Sequence, residues 1–154
     1  MSRSQNFGFT LLELMLVIAI LGVMVAIAIP IYQDYRVRAN ITEAMQRAGS
    51  LKNAVAEYYF NKGEFPASMT DMGLKDEVNP TRNVSLVHIN DLYICIHMRN
   101  TGAPEIDGAA HPIRLKPVPN GATVSWLCGH SGAVPDGYFA QNCRNHIESA
   151  SAGG

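Results

Sequence analysis

Apolar residues form an almost unbroken run near the start of the chain, from Phe9 to Ile31, in which Glu13 is the only charged side chain. A helix of this length reaches about 34 Å, which is enough to cross the apolar core of a bilayer. A cleavable secretory signal has a shorter apolar core, followed by a small-residue cleavage site. Because residues 32–35 read Tyr-Gln-Asp-Tyr instead, the run predicts a membrane-spanning helix.

The pattern changes after residue 31, where apolar side chains recur at steps of three and four residues, as on one face of a helix. Glu43 and Arg47, on the polar side, are spaced for an ion pair within the helix. Gly63 and Pro66 are stop signals. We therefore expect one long helix that ends near residue 62, with its second half packed on a soluble domain. The apolar stripe consists of Val37, Ile41, Met45, Ala48, Leu51, Val55 and Tyr58.

Four later segments are rich in β-branched and apolar residues and predict strands: NVSLVHI, LYICIHM, HPIRLKPVP and ATVSWL. Asn120-Gly121, between the last two, is a strong hairpin signal. Pro117 and Pro119 predict that the third strand is irregular or ends early. Residues 62–82 are rich in glycine and proline and predict a connecting loop. Four alternating side chains are predicted to face the helix: Leu92, Ile94, Ile96 and Met98.

These elements predict an α+β fold in which one long helix packs on a four-stranded antiparallel meander. The composition indicates that the molecule has two parts, an apolar N-terminal segment and an ordinary globular remainder. Charged residues make up only 16% of the 154 residues, and the deficit lies in the first thirty. With 12 basic and 13 acidic residues the chain is near neutral, which argues against a nucleic-acid reader driven by a broad basic surface.

The segment Gly8-Phe9-Thr10-Leu11-Leu12-Glu13-Leu14 closely resembles the class III signal of type IV pilins and pseudopilins, and PIYQDYRVRA after it is also similar to pilins. The resemblance implies that a prepilin peptidase cuts after Gly8 and that Phe9 becomes the N-methylated first residue. The short leader resembles that of the type IVa subclass. The implied organisation is ladle-shaped, with leader 1–8, transmembrane and assembly helix 9–31, amphipathic half 32–62 and globular β-sheet head 63–154.

Glu13 lies where a carboxylate costs about 2.5–3.5 kcal/mol on insertion scales, so it needs a partner or a function, unless it sits at the membrane interface. A cut before Phe9 creates a positive α-amino group. The resemblance implies that Glu13 pairs with this amine in a neighbouring subunit and sets the register between helices. Gly22 and Pro30 lie inside the helix, where each weakens or kinks it, although membrane helices tolerate both.

The chain has three cysteines, Cys95, Cys128 and Cys143. A head translocated into an oxidising compartment is expected to contain a disulfide. Residues 128–143 resemble the C-terminal disulfide-bounded region of type IV pilins, which implies a bridge between Cys128 and Cys143. Cys95 is then a partly covered free thiol, or it displaces one of the other two.

Histidines near two of these cysteines suggest a different site. Cys128, His130, Cys143 and His146 are residue types that bind zinc, but the Cys-x-His spacing is unlike the usual structural pattern, and the disulfide is favoured. The other three histidines show no ligand spacing and are expected to be surface or strand residues: His88, His97 and His111. We therefore expect no metal and no cofactor.

The function that the resemblance implies is that of a type IVa major pilin, which polymerises into a surface filament for adhesion, twitching motility or DNA uptake. The implied partners are other copies of the chain, the prepilin peptidase, the assembly machinery of the inner membrane, and a host surface or DNA. The precursor is expected in the inner membrane and the filament outside the cell. The chain lacks the enzyme patterns G-x-S-x-G, H-E-x-x-H and the phosphate loop, so no enzyme is predicted.

Two rival functions share the same signal. A type II secretion pseudopilin more often lacks the C-terminal disulfide. A minor, DNA-binding pilin needs a basic strip on the head, for which the nearby candidates are Arg99, Arg114, Lys116 and Arg144.

Overall fold

The computed structural model describes residues 9–75 and 80–147 of the chain. The predicted leader 1–8, with Gly8, lies outside the described residues. The described part of the chain divides into two compact units, the first ending at Tyr35 and the second beginning at Arg36.

One helix, α1, extends over 52 residues from Leu11 to Lys62, as the periodicity predicts. It ends at Gly63, whose φ of +82° is a left-handed conformation that glycine adopts without strain. The Gly63 N–H donates to the Tyr59 carbonyl at 2.8 Å and so satisfies one of the last carbonyls of the helix.

In the first unit, α1 presents apolar side chains on all sides, and they are exposed from Leu11 to Ile31. An 18-residue window of the helix has a mean hydropathy of 3.0 and no buried residue. By length and composition the helix can span a bilayer. α1 is helical without interruption through Gly22 and Pro30, so a kink at these residues stays a prediction.

In the second unit, α1 buries one stripe of side chains in the core. Most of the predicted apolar stripe is included, but Met45 and Tyr58 are only partly covered. Ala44 lies in the core as well, fully buried, because it falls on the same face. The buried residues of α1 are Val37, Asn40, Ile41, Ala44, Ala48, Leu51 and Val55.

Among the described residues the sheet has five strands in the order β1-β2-β3-β4-β5, which confirms the α+β class but not the predicted count of four. The first four strands form the expected antiparallel meander. The fifth pairs parallel with β4 and has only two residues, too few to show a period in the sequence. The strands are β1 Val84–Asn90, β2 Tyr93–Met98, β3 Ile113–Asn120, β4 Thr123–His130 and β5 Asn145–His146.

The prolines of the third strand were expected to make it irregular or end it early, and that prediction is wrong. β3 pairs with β4 along its whole length, including Pro117 with Trp126 and Pro119 with Val124. β2 pairs with β3 only as far as Leu115. The two prolines therefore lie where β3 has a neighbour on one side only, and an edge tolerates residues without an N–H.

The predicted strand segments NVSLVHI and LYICIHM leave Asn90 and Asp91 between them, but the β1–β2 turn lies one residue later. Asp91 and Leu92 form the turn, with φ of +50° and +69°. Leu92 is 48% exposed and does not face the helix, whereas Ile94, Ile96 and Met98 are buried in the core as predicted. A two-residue hairpin turn favours positive φ at both positions, because this backbone conformation matches the twist of the flanking strands. At Leu92 this requirement outweighs the preference of leucine for negative φ.

Short helical elements lie in the connections between the longer elements. They are a 3-10 helix at Thr70–Met72 in the predicted loop, α2 at Pro104–Asp107, and 3-10 helices at Asp136–Tyr138 and Gln141–Cys143. Asn40 ties α1 to two of the connections: its Oδ1 accepts from Asn83 Nδ2 at 2.9 Å, and its Nδ2 donates to the Thr101 carbonyl at 3.3 Å. These bonds satisfy a buried amide that would otherwise destabilise the core.

Candidate functional site

The start of α1 carries the residues that the sequence associates with processing and assembly. Phe9 is 73% exposed, and Thr10 precedes the first helical residue. The Glu13 N–H donates to Thr10 Oγ1 at 3.3 Å, and Thr10 Oγ1 donates to Glu13 Oε2 at 3.4 Å. Thr10 and Glu13 have the spacing of a helix-capping pair. Within residues 9–75 and 80–147, no cation lies at ion-pair distance from the Glu13 carboxylate.

The C-terminal segment is closed by a disulfide between Cys128 of β4 and Cys143 of the last 3-10 helix, with the two Cα atoms 4.6 Å apart. This is the pairing that the resemblance implied. Because both sulfurs are committed to the bridge, the four-ligand zinc alternative with His130 and His146 is wrong.

Gly129 allows β5 to lie close to β4. A Cβ built at Gly129 would collide with the Asn145 carbonyl oxygen and would lie 2.6 Å from Ile147 Cδ1. Further bonds hold this closure: Asn145 Nδ2 donates to the Cys128 carbonyl at 3.3 Å, and the Ile147 N–H donates to the His130 carbonyl at 3.2 Å.

His130 is fully buried beside the bridge, and its ring stacks on Phe139 with the centroids 4.4 Å apart. Its Nε2 lies 3.1 Å from Asp136 Oδ1, and His146 Nε2 lies 3.6 Å from the same oxygen. The two histidines of the former zinc alternative thus meet at the Asp136 carboxylate, which no sequence pattern indicated.

Cys95 is buried and belongs to no disulfide. Burial raises the pKa of the Cys95 thiol to about 11, with Asp91 adding to the rise and Arg114 opposing it. A protonated, covered thiol is a poor nucleophile. Cys95 is therefore the free thiol that we expected, but it is buried rather than partly covered.

The structure brings together three histidines for which the sequence predicted no common role. His88 of β1, His97 of β2 and His111, just before β3, offer ring nitrogens that all lie within 4.8 Å of one another. His111 Nδ1 and His97 Nε2 are 3.0 Å apart. We call these residues the three-histidine cluster. Because they come from three separate segments, their meeting depends on the register of β1, β2 and β3.

The three-histidine cluster is half-buried, and this changes its titration. Burial first, and the nearby His111 and His88 second, lower the pKa of His97 to about 4. Burial, Arg114 and His88 lower the pKa of His111, while Asp91 acts in the opposite direction. The imidazole of His97 is therefore neutral over the physiological range.

The free energy of unfolding is expected to decrease as the pH falls from 6.5 towards 4, because His97 takes up a proton in the unfolded chain before it does so in the folded one. The contribution of His97 to the free energy of unfolding is complete above pH 6.5, and it is lost as the pH falls through the pKa of His97 in the folded chain. Urea titrations of the full chain in detergent micelles, in metal-free buffer over a pH series, measure the slope. His97→Gln should show a shallower slope, and equal slopes in the two proteins would contradict this assignment.

The basic residues that a DNA-binding head requires are engaged within the chain instead. Arg114 is buried and donates to the Ile147 carbonyl at 3.0 Å, and Arg99 donates to the Thr81 carbonyl at 2.7 Å. Arg144 Nε donates to the Phe139 carbonyl at 3.2 Å, and the Lys116 ammonium lies 5.9 Å from the Tyr93 ring centre. These contacts give no support to a dedicated DNA-binding strip.

Comparison with known proteins identifies the family. The pilin family, described as a bacterial filament family, matches residues 37–144, and the prokaryotic N-terminal methylation motif matches residues 3–29. The chain therefore belongs to the pilin family.

Individual relatives agree with this assignment. The fimbrial protein EcpC of Eikenella corrodens is 40% identical over 150 residues, which cover 94% of this chain and 95% of that protein. The type IV major pilin protein PilE1 of Neisseria gonorrhoeae is 38% identical over 125 residues, covering 79% and 68%. A fimbrial protein of Neisseria meningitidis serogroup B is 40% identical over 125 residues, covering 79% and 72%.

Proposed function

We propose that this chain is the major structural subunit of a type IV pilus and that it polymerises through its N-terminal helix into a surface filament. The observation that carries the proposal is the exposed apolar surface of α1 up to Ile31, in a chain whose relatives are named type IV major pilin and fimbrial protein. A surface of this size must be covered by lipid or by other helices. In a filament, copies of the same helix cover one another through close packing. The role is structural rather than enzymatic.

The precursor is proposed to be cut by a prepilin peptidase after Gly8 and then N-methylated at Phe9. Three features support this step: the methylation motif that matches residues 3–29, the exposure of Phe9, and the non-helical backbone of Phe9 and Thr10 before α1 begins. A non-helical, accessible segment is one that a peptidase can engage. Residues 1–8 then form the leader, 9–31 the membrane and assembly segment, 32–62 the amphipathic half of the helix, and 63–154 the head.

Glu13 is proposed to select the register of assembly by pairing with the α-amino group of Phe9 in a neighbouring copy. Its contact with Thr10 supplies a hydroxyl but no positive charge. In an apolar layer, water solvates neither the carboxylate nor the α-amino group. Each charge is therefore stabilised by pairing with the other, and a charge left without its partner would be uncompensated. The two groups can meet only at one axial offset between helices, so the pair fixes that offset.

Before assembly, the segment from Phe9 to Ile31 is proposed to anchor the subunit in the inner membrane, where the assembly machinery binds it. After assembly the heads lie on the outside of the cell. The filament serves adhesion, twitching motility or DNA uptake, with a host surface or DNA as the outer partner.

The experiment that tests this function is to shear whole cells and identify the released filament protein by mass, including its N-terminal peptide. We expect abundant fibres whose subunit begins with methylated Phe9. A processed chain found only in the cell envelope would contradict the major-pilin function and would fit a pseudopilin or a minor pilin instead. An unprocessed chain with residues 1–8 attached would contradict the proposed cleavage.

A further inference from the structure

We propose that His88, His97 and His111 together bind one divalent transition-metal ion of the zinc type through three imidazole nitrogens. Neither the pilus function nor the family assigns a role to these residues, and the proposal stands independently of filament assembly.

The distances in the cluster are close to those of a three-imidazole zinc site. A zinc–nitrogen bond of about 2.0–2.1 Å in tetrahedral geometry places two ligand nitrogens roughly 3.4 Å apart. His97 Nε2 and His111 Nδ1 are already 3.0 Å apart, and all three ring nitrogens lie within 4.8 Å of one another. Rotation of the half-buried rings about their side-chain bonds would have to close the remaining distance. The ion would take the place of the contact between His97 and His111.

The backbone positions the ligands rigidly. His97 pairs with Leu86 and His88 pairs with Cys95, so the two histidines are diagonal neighbours on paired strands. His97 alternates with the core residues Ile96 and Met98, which directs its ring to the sheet face opposite the core. Ligands on strands are held more precisely than ligands on loops. His111, in the segment before β3, is the one ligand that lies outside a strand.

The donor set favours one class of ion. Imidazole nitrogens suit zinc, copper and nickel, whereas calcium and magnesium require oxygen ligands. Three protein ligands leave a fourth position, which the half-exposed cluster opens to water. Two charged side chains influence a positive charge at His111: the Arg114 guanidinium disfavours it, and the Asp91 carboxylate favours it. The opposed charges and a ligand set of neutral imidazoles lead us to expect micromolar rather than nanomolar affinity.

A second cluster provides a matched control. His130, Asp136 and His146 also place ligand atoms within 4.8 Å of one another. There, however, an Asp136 carboxylate oxygen lies 3.1 Å from His130 Nε2, so the possible ligand set includes a carboxylate. His146→Gln thus removes a histidine from a different group on the same chain. Cys95→Ser tests whether the neighbouring thiol is a ligand.

The experiment titrates Zn²⁺, and Co²⁺ as its spectroscopic substitute, into the chelator-treated full chain in detergent micelles. We expect one ion per chain, a higher unfolding temperature with Zn²⁺, and a tetrahedral Co²⁺ spectrum without a sulfur-to-cobalt band. His97→Gln and His111→Gln should each weaken binding on the order of tenfold or more, while His146→Gln and Cys95→Ser should bind as the wild type does. Using two ligand variants, each checked by circular dichroism, separates loss of a ligand from loss of the fold.

Three results would overturn the proposal. One is no saturable binding of either ion by the folded chain at hundreds of micromolar. Another is loss of binding in His146→Gln with retention in His97→Gln, which would locate the ion at Asp136. The last is loss in Cys95→Ser together with a sulfur-to-cobalt band, which would replace the three-imidazole ligand set. None of these readouts requires a filament, so they leave the proposed pilus function untouched.

Discussion

Glu13→Val is expected to reduce filament yield by more than about a hundredfold while leaving the subunit inserted in the membrane. Breaking a buried ion pair by removing one partner costs about 3–5 kcal/mol, because the other charge stays buried without compensation. Since each 1.4 kcal/mol is a factor of ten, the lower limit corresponds to about two powers of ten for every subunit added. Membrane insertion is expected to be retained, because valine is less costly in hydrocarbon than a carboxylate.

Two control variants separate the charge from other properties of the site. Glu13→Gln keeps the length of the side chain and can still contact the Thr10 hydroxyl, which Glu13 contacts at 3.4 Å. If the carboxylate acts through its charge, this variant should assemble as poorly as the valine variant. Leu14→Val exchanges one exposed apolar side chain for another in the same turn and should assemble normally.

The measurement compares sheared filament protein with the membrane-bound pool on the same blot, for cells with equal total subunit. Filaments at the wild-type level from Glu13→Val would contradict the proposed pair. Normal assembly of Glu13→Gln alone would show that the side chain acts through hydrogen bonding, as the capping contact with Thr10 already does within one chain.

The elements that the sequence predicted well are those whose signal is local and repeated. The stripe that includes Val37, Ile41 and Leu51 recurs over many turns, and the tertiary structure buries it as expected. The alternation of Ile94, Ile96 and Met98 likewise has one consistent solution, since a slip by one residue would turn all three away from the core. Long periodic segments therefore define the α+β class without further information.

The features that could not be predicted depend on contacts between distant segments. β5 has two residues and exists because the disulfide and Gly129 allow close approach to β4. β3 can contain Pro117 and Pro119 because β2 stops pairing with it at Leu115. The sequence of β3 alone does not show where that pairing ends. Local propensity cannot report such constraints.

The candidate sites also differ in whether their signal is local in the sequence or depends on contacts between distant segments. Phe9 and Glu13 belong to one continuous motif, so a resemblance can identify them. The three-histidine cluster has no recognisable spacing, because its members meet only through the register of three strands. In a sheet, the ligand-spacing rules of short motifs do not apply to residues on neighbouring strands. A search for histidines on the same face of predicted adjacent strands would have been the only available signal.

Replacing both cysteines of the bridge, as Cys128→Ser with Cys143→Ser, is expected to lower the free energy of unfolding by about 3 kcal/mol, the amount that closure of a 15-residue loop contributes. Few apolar side chains anchor the enclosed segment; the buried ones are Val134 and Phe139. With the bridge open, the two-residue β5 has too few strand hydrogen bonds to stay paired.

Urea unfolding of the full chain in detergent micelles measures the stability, and limited proteolysis between residues 131 and 142 reports the local opening. Wild-type chain treated with a reductant should match the double variant in both assays, since the same bond is missing. Cys95→Ser changes a buried thiol without opening the bridge, so any loss of stability should come without cleavage in that segment. Unchanged stability and full protection in the double variant would mean that the Asn145 and Ile147 hydrogen bonds and the Phe139–His130 stack close the loop by themselves. We expect the opposite, because each of those bonds contributes only about 0.5–1.5 kcal/mol and all of them depend on the approach that the bridge enforces.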